Sequence, residues 1–323
     1  MQVSLWDICA AVGVLAIAYL SYNGAGAVLF LFNASTLARY QRSRGPTGDD
    51  RAWALVTGAS DGVGKGFAQE LCHLGFNVIL HGRSQQKLAA VKEELQREFP
   101  SQVRLLVLDA AAAAPWTPAR EATVLRALDG VALTVVVNNV GGAGGVGADW
   151  CRVVDRSAGE FDALINLNAR FMTQLTRAVL PVLAQNQPAL VLNVSSVAEV
   201  LPIPYMAVYA ATKAYVSAWT RCLGAEMRAE HLDVEVMSLI LGMVVTPGTG
   251  RDSSMESLVI PSARTVARAS FAKIGCGAAV IVPYWPHRLQ LRLFGLLPEA
   301  LVQKLMLRTA REEMERMRKK KGE

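Results

Sequence analysis

The sequence predicts an α/β protein built on one doubly wound parallel sheet, preceded by a membrane-anchoring helix. Three observations predict it. From residue 53 onward short Val/Leu/Ile-rich runs alternate with helical patterns, the first run leads into a glycine-rich turn, and residues 8–32 carry no charge.

The uncharged run, ICAAVGVLAIAYLSYNGAGAVLFLF, is 25 residues long. As a helix it spans about 37 Å, enough to cross a bilayer with some tilt. Ser21, Tyr22 and Asn23 interrupt it, which leaves open whether it spans or only inserts. Asp7 stands where a signal peptide would carry basic residues. Arg39, Arg42, Arg44 and Arg51 follow the run and no Lys or Arg precedes it, so the bulk of the chain is expected in the cytosol. Residues 1–44 read as anchor and basic flank, and 45–52, with GPTGDD, as a linker.

Strands are expected near 53–57, 77–82, 103–109, 133–138, 189–195, 233–240 and 277–282. Their apolar runs are continuous rather than alternating, as in strands covered on both faces. The helix at 84–98 starts on the cap Ser84 and sets Leu88, Val91 and Leu95 on one side. Strand-helix-strand units of this length give one catalytic domain over 53–282.

The first strand runs into TGASDGVG, with candidate cofactor contacts Gly58, Ser60, Asp61, Gly62, Val63 and Gly64. Glycines between a strand and a helix let backbone N–H groups approach a pyrophosphate at the helix N-terminus. The sheet is therefore of the Rossmann type, and its ligand a dinucleotide. The second strand ends in His81, Gly82 and Arg83, without the acid that meets an unphosphorylated ribose. Arg83 suits a 2′-phosphate, so NADPH is the expected cofactor. Asp109 reads either as a contact to the adenine amino group or as a turn cap. Asn138 and Asn139 close the fourth strand opposite the glycine turn.

The stretch SVAEVLPIPYMAVYAATK holds Ser196, Tyr209 and Lys213. Tyr209 and Lys213 stand at i and i+4 on one helix face. Pro202 and Pro204 keep the preceding segment extended, so a serine at the strand end can face that pair. A phenol, an ammonium and a hydroxyl together handle a proton at a carbonyl oxygen. Beyond Thr246, residues 247–261 form a polar Gly/Ser-rich loop of the kind that closes over substrate. From 283 to 323 the chain is amphipathic, with Leu289, Leu293 and Leu297 among Arg288 and Arg292. It reads equally as an interfacial segment and as a helix packed on the sheet.

Hydrophobic residues make up 52% of the 323 positions and the formal net charge is +6. The basic clusters flank apolar segments without interleaved aromatics, which favours a membrane surface and excludes nucleic acid. The five cysteines are odd in number and far apart, with no metal-ligand spacing, so no metal is expected. Nothing in the chain fixes or excludes a homo-oligomer.

From Trp53 to Val282 the chain resembles the short-chain dehydrogenase/reductases, on the TGASDGVG turn, NNVG, the Asn in LINLNARF, NVSS and YAATK, in order. Within them it is similar to the membrane-bound very-long-chain 3-oxoacyl-CoA reductases and their 17β-hydroxysteroid dehydrogenase relatives, on the anchor, NNVG, LPIP and the tail PYWPHRLQLRLFGLLPEAL. The resemblance implies Tyr209 as catalytic acid, Lys213 as its partner and ribose contact, Ser196 as carbonyl holder, and Asn166 as the relay asparagine, with Asn168 the alternative. It implies Val244 and Thr246 as nicotinamide contacts. The ending KKGE resembles a dilysine retrieval signal and implies an endoplasmic-reticulum membrane protein. Leu241-Gly242 departs from the Pro-Gly or Pro-Tyr usual there, which leaves the substrate open. The implied function is NADPH-dependent reduction of a 3-oxoacyl-CoA in fatty-acid elongation. The alternatives are a steroid or other lipophilic ketone, or a non-catalytic membrane scaffold.

Overall fold

The computed structural model describes residues 4–41, 51–112, 116–143 and 150–321. Most of the expected linker, Arg42, Arg44 and the last two residues of the tail lie outside the described residues. In chain order the elements are α1 (Leu5–Leu31), β1 (Trp53–Thr57), α2 (Gly62–His73), β2 (Asn77–Gly82), α3 (Gln85–Glu98), β3 (Val103–Val107), α4 (Pro118–Ala127) and β4 (Leu133–Asn138). They continue with α5 (Ala158–Ile165), α6 (Phe171–Gln185), β5 (Ala189–Ser196), α7 (Ala207–Ala229), β6 (Val234–Leu241), α8 (Ala263–Phe271), β7 (Val280–Ile281), α9 (Trp285–Phe294) and α10 (Glu299–Lys321).

The seven strands form one sheet in the order β3-β2-β1-β4-β5-β6-β7, parallel at every pairing. Alternate residues of each strand point to opposite faces. Ala54, Val56, Val78 and Leu80 pack with Phe67, Leu71, Leu88 and Phe271 of α2, α3 and α8. Trp53, Leu55, Ile79 and Val136 pack with Val124, Leu175, Val179 and Leu223 of α4, α6 and α7. With both faces covered, every residue of β1, β2 and β4 is buried. The chain reverses direction across the sheet between β1 and β4, which opens a crevice at their C-terminal ends.

Two strands are shorter than expected. β3 stops at Val107, and the chain then turns as the Asp109 carboxylate accepts from the Ala111 N–H at 3.0 Å. β7 keeps only two residues, because Gly275 and Gly277 hold φ of 81° and 78°, outside any strand. Between α5 and α6, Asn166–Arg170 form a π-helical turn, a feature concentrated at functional sites.

α1 covers the expected apolar run as a helix of 27 residues, with Ile8, Val12, Leu15 and Ile17 exposed. Counted over the described residues, no helix is long and apolar enough to cross a membrane. The segment that follows α1 is not a loose flank. Thr36 N–H donates to Ile274 O at 3.1 Å, Ser35 Oγ to Phe271 O, and Asn33 Nδ2 to Ile274 O at 3.2 Å. Tyr40 is fully buried, and its carbonyl accepts from Thr134 Oγ1 at 2.7 Å. Residues 33–41 thus pack as part of the sheet domain.

The C-terminal extension divides. α10 buries Val302, Met306 and Ala310 and packs over the loop after Thr246. Arg316 donates to the carbonyls of Thr249 and Gly250 at 2.8 and 3.1 Å, and Arg251 pairs with Glu313. α9 instead leaves Trp285, Leu289 and Leu293 exposed along one stripe, continued by Leu296 just past its end.

Candidate active site

The glycine turn is shaped by what packs against it. Gly58 adopts a φ of 64°, and a Cβ on Gly64 would lie 2.2 Å from Gly58 O and 2.5 Å from Asn139 Nδ2. Only glycine allows that approach. Asp61 caps α2 by accepting the Gly62 N–H at 2.7 Å. Ser60 and Val63 are half-buried beside it. Thr57, which the sequence reading passed over, is the hub. Its Oγ1 accepts from the N–H groups of Asn139 and Val140 at 2.8 and 3.0 Å, and its carbonyl accepts from Asn139 Nδ2 at 2.9 Å. These bonds bring the end of β4 against the glycine turn across 82 residues of sequence.

Asn138 faces the other way. Its Nδ2 donates to Thr176 Oγ1 and Asn193 Oδ1, and Asn193 in turn donates to Thr220 Oγ1. The structure therefore places Asn138 in a buried polar ladder beneath the crevice, not in it.

At the end of β2, Arg83 is exposed and makes no hydrogen bond or ion pair among the described residues. The neighbouring Ala59 N–H donates to His81 O at 2.9 Å, which keeps Arg83 beside the glycine turn. Asp109 is exposed, with one carboxylate oxygen on the Ala111 turn. An unpaired guanidinium, no acid at the strand end and a glycine turn opening α2 fit a phosphorylated dinucleotide.

Ser196 ends β5, Tyr209 lies in the first turn of α7, and Lys213 is one turn on. Just before that helix, Tyr205 holds a φ of 68°, an unusual conformation for a bulky residue. Ser196 Oγ accepts from Ala198 N–H at 3.2 Å, and its hydroxyl stands near enough to the Tyr209 phenol to favour the phenolate. Burial pushes the Tyr209 pKa above its ordinary value, and the Ser196 hydroxyl opposes that push. Lys213 is buried, its Nζ donating to Val194 O at 2.9 Å and lying 5.7 Å from the centre of the Tyr209 ring. Burial lowers its pKa to about 8, with Glu199 pulling the other way. At Tyr209 it is Ser196 that opposes the effect of burial, while the Lys213 ammonium is engaged by the strand carbonyl.

Of the two asparagines, it is Asn168 that shares the surroundings of Gly141 with the lysine. It accepts the Gly142 N–H at 2.9 Å and donates to the carbonyls of Gly142 and Leu164. A Cβ on Gly141 would lie 2.7 Å from Asn168 Oδ1 and 3.1 Å from Lys213 Nζ, so that glycine lets all three converge. Asn166, also buried, accepts instead from Arg170.

The loop after β6 closes the far side. Val244 and Thr246 are buried, Thr246 caps the turn at 247–249, and a Cβ on Gly62 would meet the Thr246 methyl at 3.1 Å. His287 on α9 fastens this loop. Its Nδ1 accepts the Gly242 N–H at 3.0 Å, so Nε2 carries the proton and donates to Val259 O at 3.2 Å. Residues 144–149, between Ala143 and the segment at Cys151 that borders Tyr209, lie outside the described residues. A separate cavity of about 970 Å³ opens on another flank of α7, lined by Ala210, Ala211 and Ala214, by Leu291 and by Arg288 and Arg292. Among the described residues no cluster of His, Cys, Asp or Glu could hold a metal.

With this geometry in place, residues 52–257 match the model of the family described as short chain dehydrogenase. A very-long-chain 3-oxoacyl-CoA reductase of Coprinopsis cinerea is 33% identical over 268 residues, covering 80% of this chain and 74% of its own. One of Kluyveromyces lactis is 30% identical over 303 residues, covering 90% and 82%. An alcohol dehydrogenase from Thermococcus sibiricus, solved with 5-hydroxy-NADP, superposes with a TM-score of 0.60 at 26% identity, over 71% of this chain and 93% of that one. A structure from work on 7beta-hydroxysteroid dehydrogenase stereoselectivity superposes at 0.67 over 79% of this chain and 96% of that one; at 20% identity it speaks for the fold.

Proposed function

The chain belongs to the short-chain dehydrogenase family, and on that premise we propose that it is an NADPH-dependent reductase of very-long-chain 3-oxoacyl-CoA. The observation that carries the reading is the convergence of Ser196, Tyr209 and Lys213 beside a glycine turn whose nearby cation is Arg83. NADPH would supply the hydride. Gly58, Gly62 and Gly64 admit its pyrophosphate against the N-terminus of α2, Arg83 meets its 2′-phosphate, and Val244 and Thr246 border its nicotinamide.

Within that frame the side chains have distinct tasks. The Ser196 hydroxyl donates to the substrate carbonyl oxygen as negative charge develops there. Tyr209, kept protonated by burial, gives that oxygen its proton, the direction a ketone reduction requires. Lys213 stabilises the phenolate left behind and holds the ribose. The Val194 carbonyl holds the ammonium, and Gly141, without a side chain, leaves it room beside Asn168.

The relatives' names supply the substrate class, and the surface supports a lipophilic one. The exposed apolar stripe of α9 and the apolar length of α1 support attachment to a membrane. Arg39 and Arg51 after α1 support a sheet domain on the cytosolic side of the endoplasmic reticulum. Residues 1–32 then anchor, 33–282 form the catalytic body, and 283–323 join the body to the lipid surface.

The test is a substrate screen on membranes containing the protein, with NADPH and NADH in parallel. Reduction of long-chain 3-oxoacyl-CoA with NADPH, lost in Tyr209→Phe, is expected. Turnover confined to steroid ketones would replace the substrate assignment, and undiminished activity in Tyr209→Phe would overturn the site.

A further inference from the structure

Ser195, the neighbour of Ser196, points its hydroxyl away from the crevice. It donates to the carboxylate of Glu199 and lies 3.0 Å from the carbonyl of Lys213. The same Glu199 oxygen, Oε2, accepts from Ser217 Oγ at 2.6 Å, and Ser217 Oγ lies 3.1 Å from Ser238 Oγ on β6. Ser217 is four residues beyond Lys213 on α7, so the two share a helix face. One carboxylate therefore joins the end of β5, the turn of α7 after the lysine and, through Ser217, β6. All three hydroxyls are buried. A solvated surface glutamate has no need of such partners.

We propose that Glu199 is a positioning residue for the Tyr209–Lys213 pair: it ties the strand end bearing Ser196 to α7 and holds a negative charge behind Lys213. The inference rests on the reductase reading for its kinetic arm only. Burial alone disfavours the ammonium, and Glu199 is the charged group that opposes it. The remaining groups near Lys213 are neutral: Val194 O, Asn168, Gly141 and the Tyr209 phenol. On its other side Glu199 lines the 970 Å³ cavity together with Arg288 and Arg292 of α9 and Glu299 of α10. Removing the charge leaves the lysine to lose its proton at lower pH, and the phenolate then loses its stabiliser.

The experiment compares Glu199→Gln and Glu199→Asp with the full-length wild type. Glu199→Gln keeps the size and an acceptor oxygen without the charge, while Glu199→Asp keeps the charge. The rate of NADPH-dependent reduction is recorded from pH 6 to 10. In parallel, the pH dependence of reductive methylation at Lys213 is read by mass spectrometry, which needs no substrate. In Glu199→Gln both the alkaline limb and the methylation midpoint are expected to move down by about one pH unit, with Glu199→Asp lying nearer wild type. A methylation midpoint that coincides with wild type in Glu199→Gln overturns the inference, whatever the assay shows. A shifted midpoint in a protein that reduces no ketone supports it and refutes the reductase reading instead.

Discussion

The imidazole of His287 lies so close to Gly242 that a Cβ there would stand 2.8 to 2.9 Å from three ring atoms, while Nδ1 accepts the Gly242 N–H. A helix near the C-terminus thus fixes where the chain leaves β6. Gly242→Ala must displace the ring or the loop, at a cost of about 1–3 kcal/mol. A fall in kcat/KM of roughly tenfold or more is expected, with a lowered Tm. Protonation of His287 would set an N–H against the Gly242 N–H, and burial keeps its pKa below the ordinary histidine value. The contact therefore holds through neutral pH.

Tyr209→Phe removes the proton donor and leaves the ring in place. The rate should fall about 10²- to 10⁴-fold with cofactor affinity little changed. Ser196→Ala removes the carbonyl donor, with a loss of about 10²-fold or more in kcat. Steady-state kinetics with NADPH titrations separate the two.

Arg83 is expected to act on cofactor choice alone. Arg83→Ala should raise KM for NADPH by roughly tenfold to a hundredfold, the worth of a charge-assisted hydrogen bond. KM for NADH should stay nearly unchanged. Equal losses with both cofactors would remove Arg83 from the 2′-phosphate.

Two buried bases set opposite ends of the pH range. Lys213 must be protonated to support the phenolate, and its pKa lies at about 8. Reduction should decline as pH rises through that value, and the limb should vanish in Lys213→Met along with most of the rate. His81 is wholly buried against the Phe171 ring, with a pKa lowered to about 4 and Nε2 on Leu108 O. Between pH 6.5 and about 4 the unfolded chain binds a proton there that the folded protein does not. Stability is thus complete above pH 6.5 and falls toward pH 4, by roughly 3 kcal/mol once the residue must charge. Thermal melts of His81→Phe should show a weaker acid limb.

Much of this architecture was legible because β1, β2 and β4 are covered on both faces and therefore apolar throughout. β7 was overestimated since apolar residues follow Gly277, whose backbone conformation no composition reveals. Tyr209 and Lys213 stood out through their i, i+4 spacing. Thr57 did not, because its role lies in three hydrogen bonds from residues more than 80 positions away. The resemblance implies Asn166, with Asn168 as the alternative; in the π-helical turn that holds both, Asn168 lies beside Gly141 and Asn166 bonds Arg170, a division that residue spacing does not show. Asn138 looked like a crevice residue from its place at a strand end. Its side chain faces into the core instead.

The docking of residues 33–41 decides where this protein can be cut. A truncation placed after residue 44, at the apparent end of the anchor, would strip Tyr40 from a fully buried site and leave Thr134 Oγ1 without its acceptor. It would also free the carbonyls of Phe271 and Ile274. A shortened form should instead begin before Phe30, whose ring is buried in the core under Arg288 and whose carbonyl accepts from Lys273 Nζ at 2.6 Å. That boundary also makes the junction a rigid mount. The crevice then keeps one height and one heading relative to the helix before it.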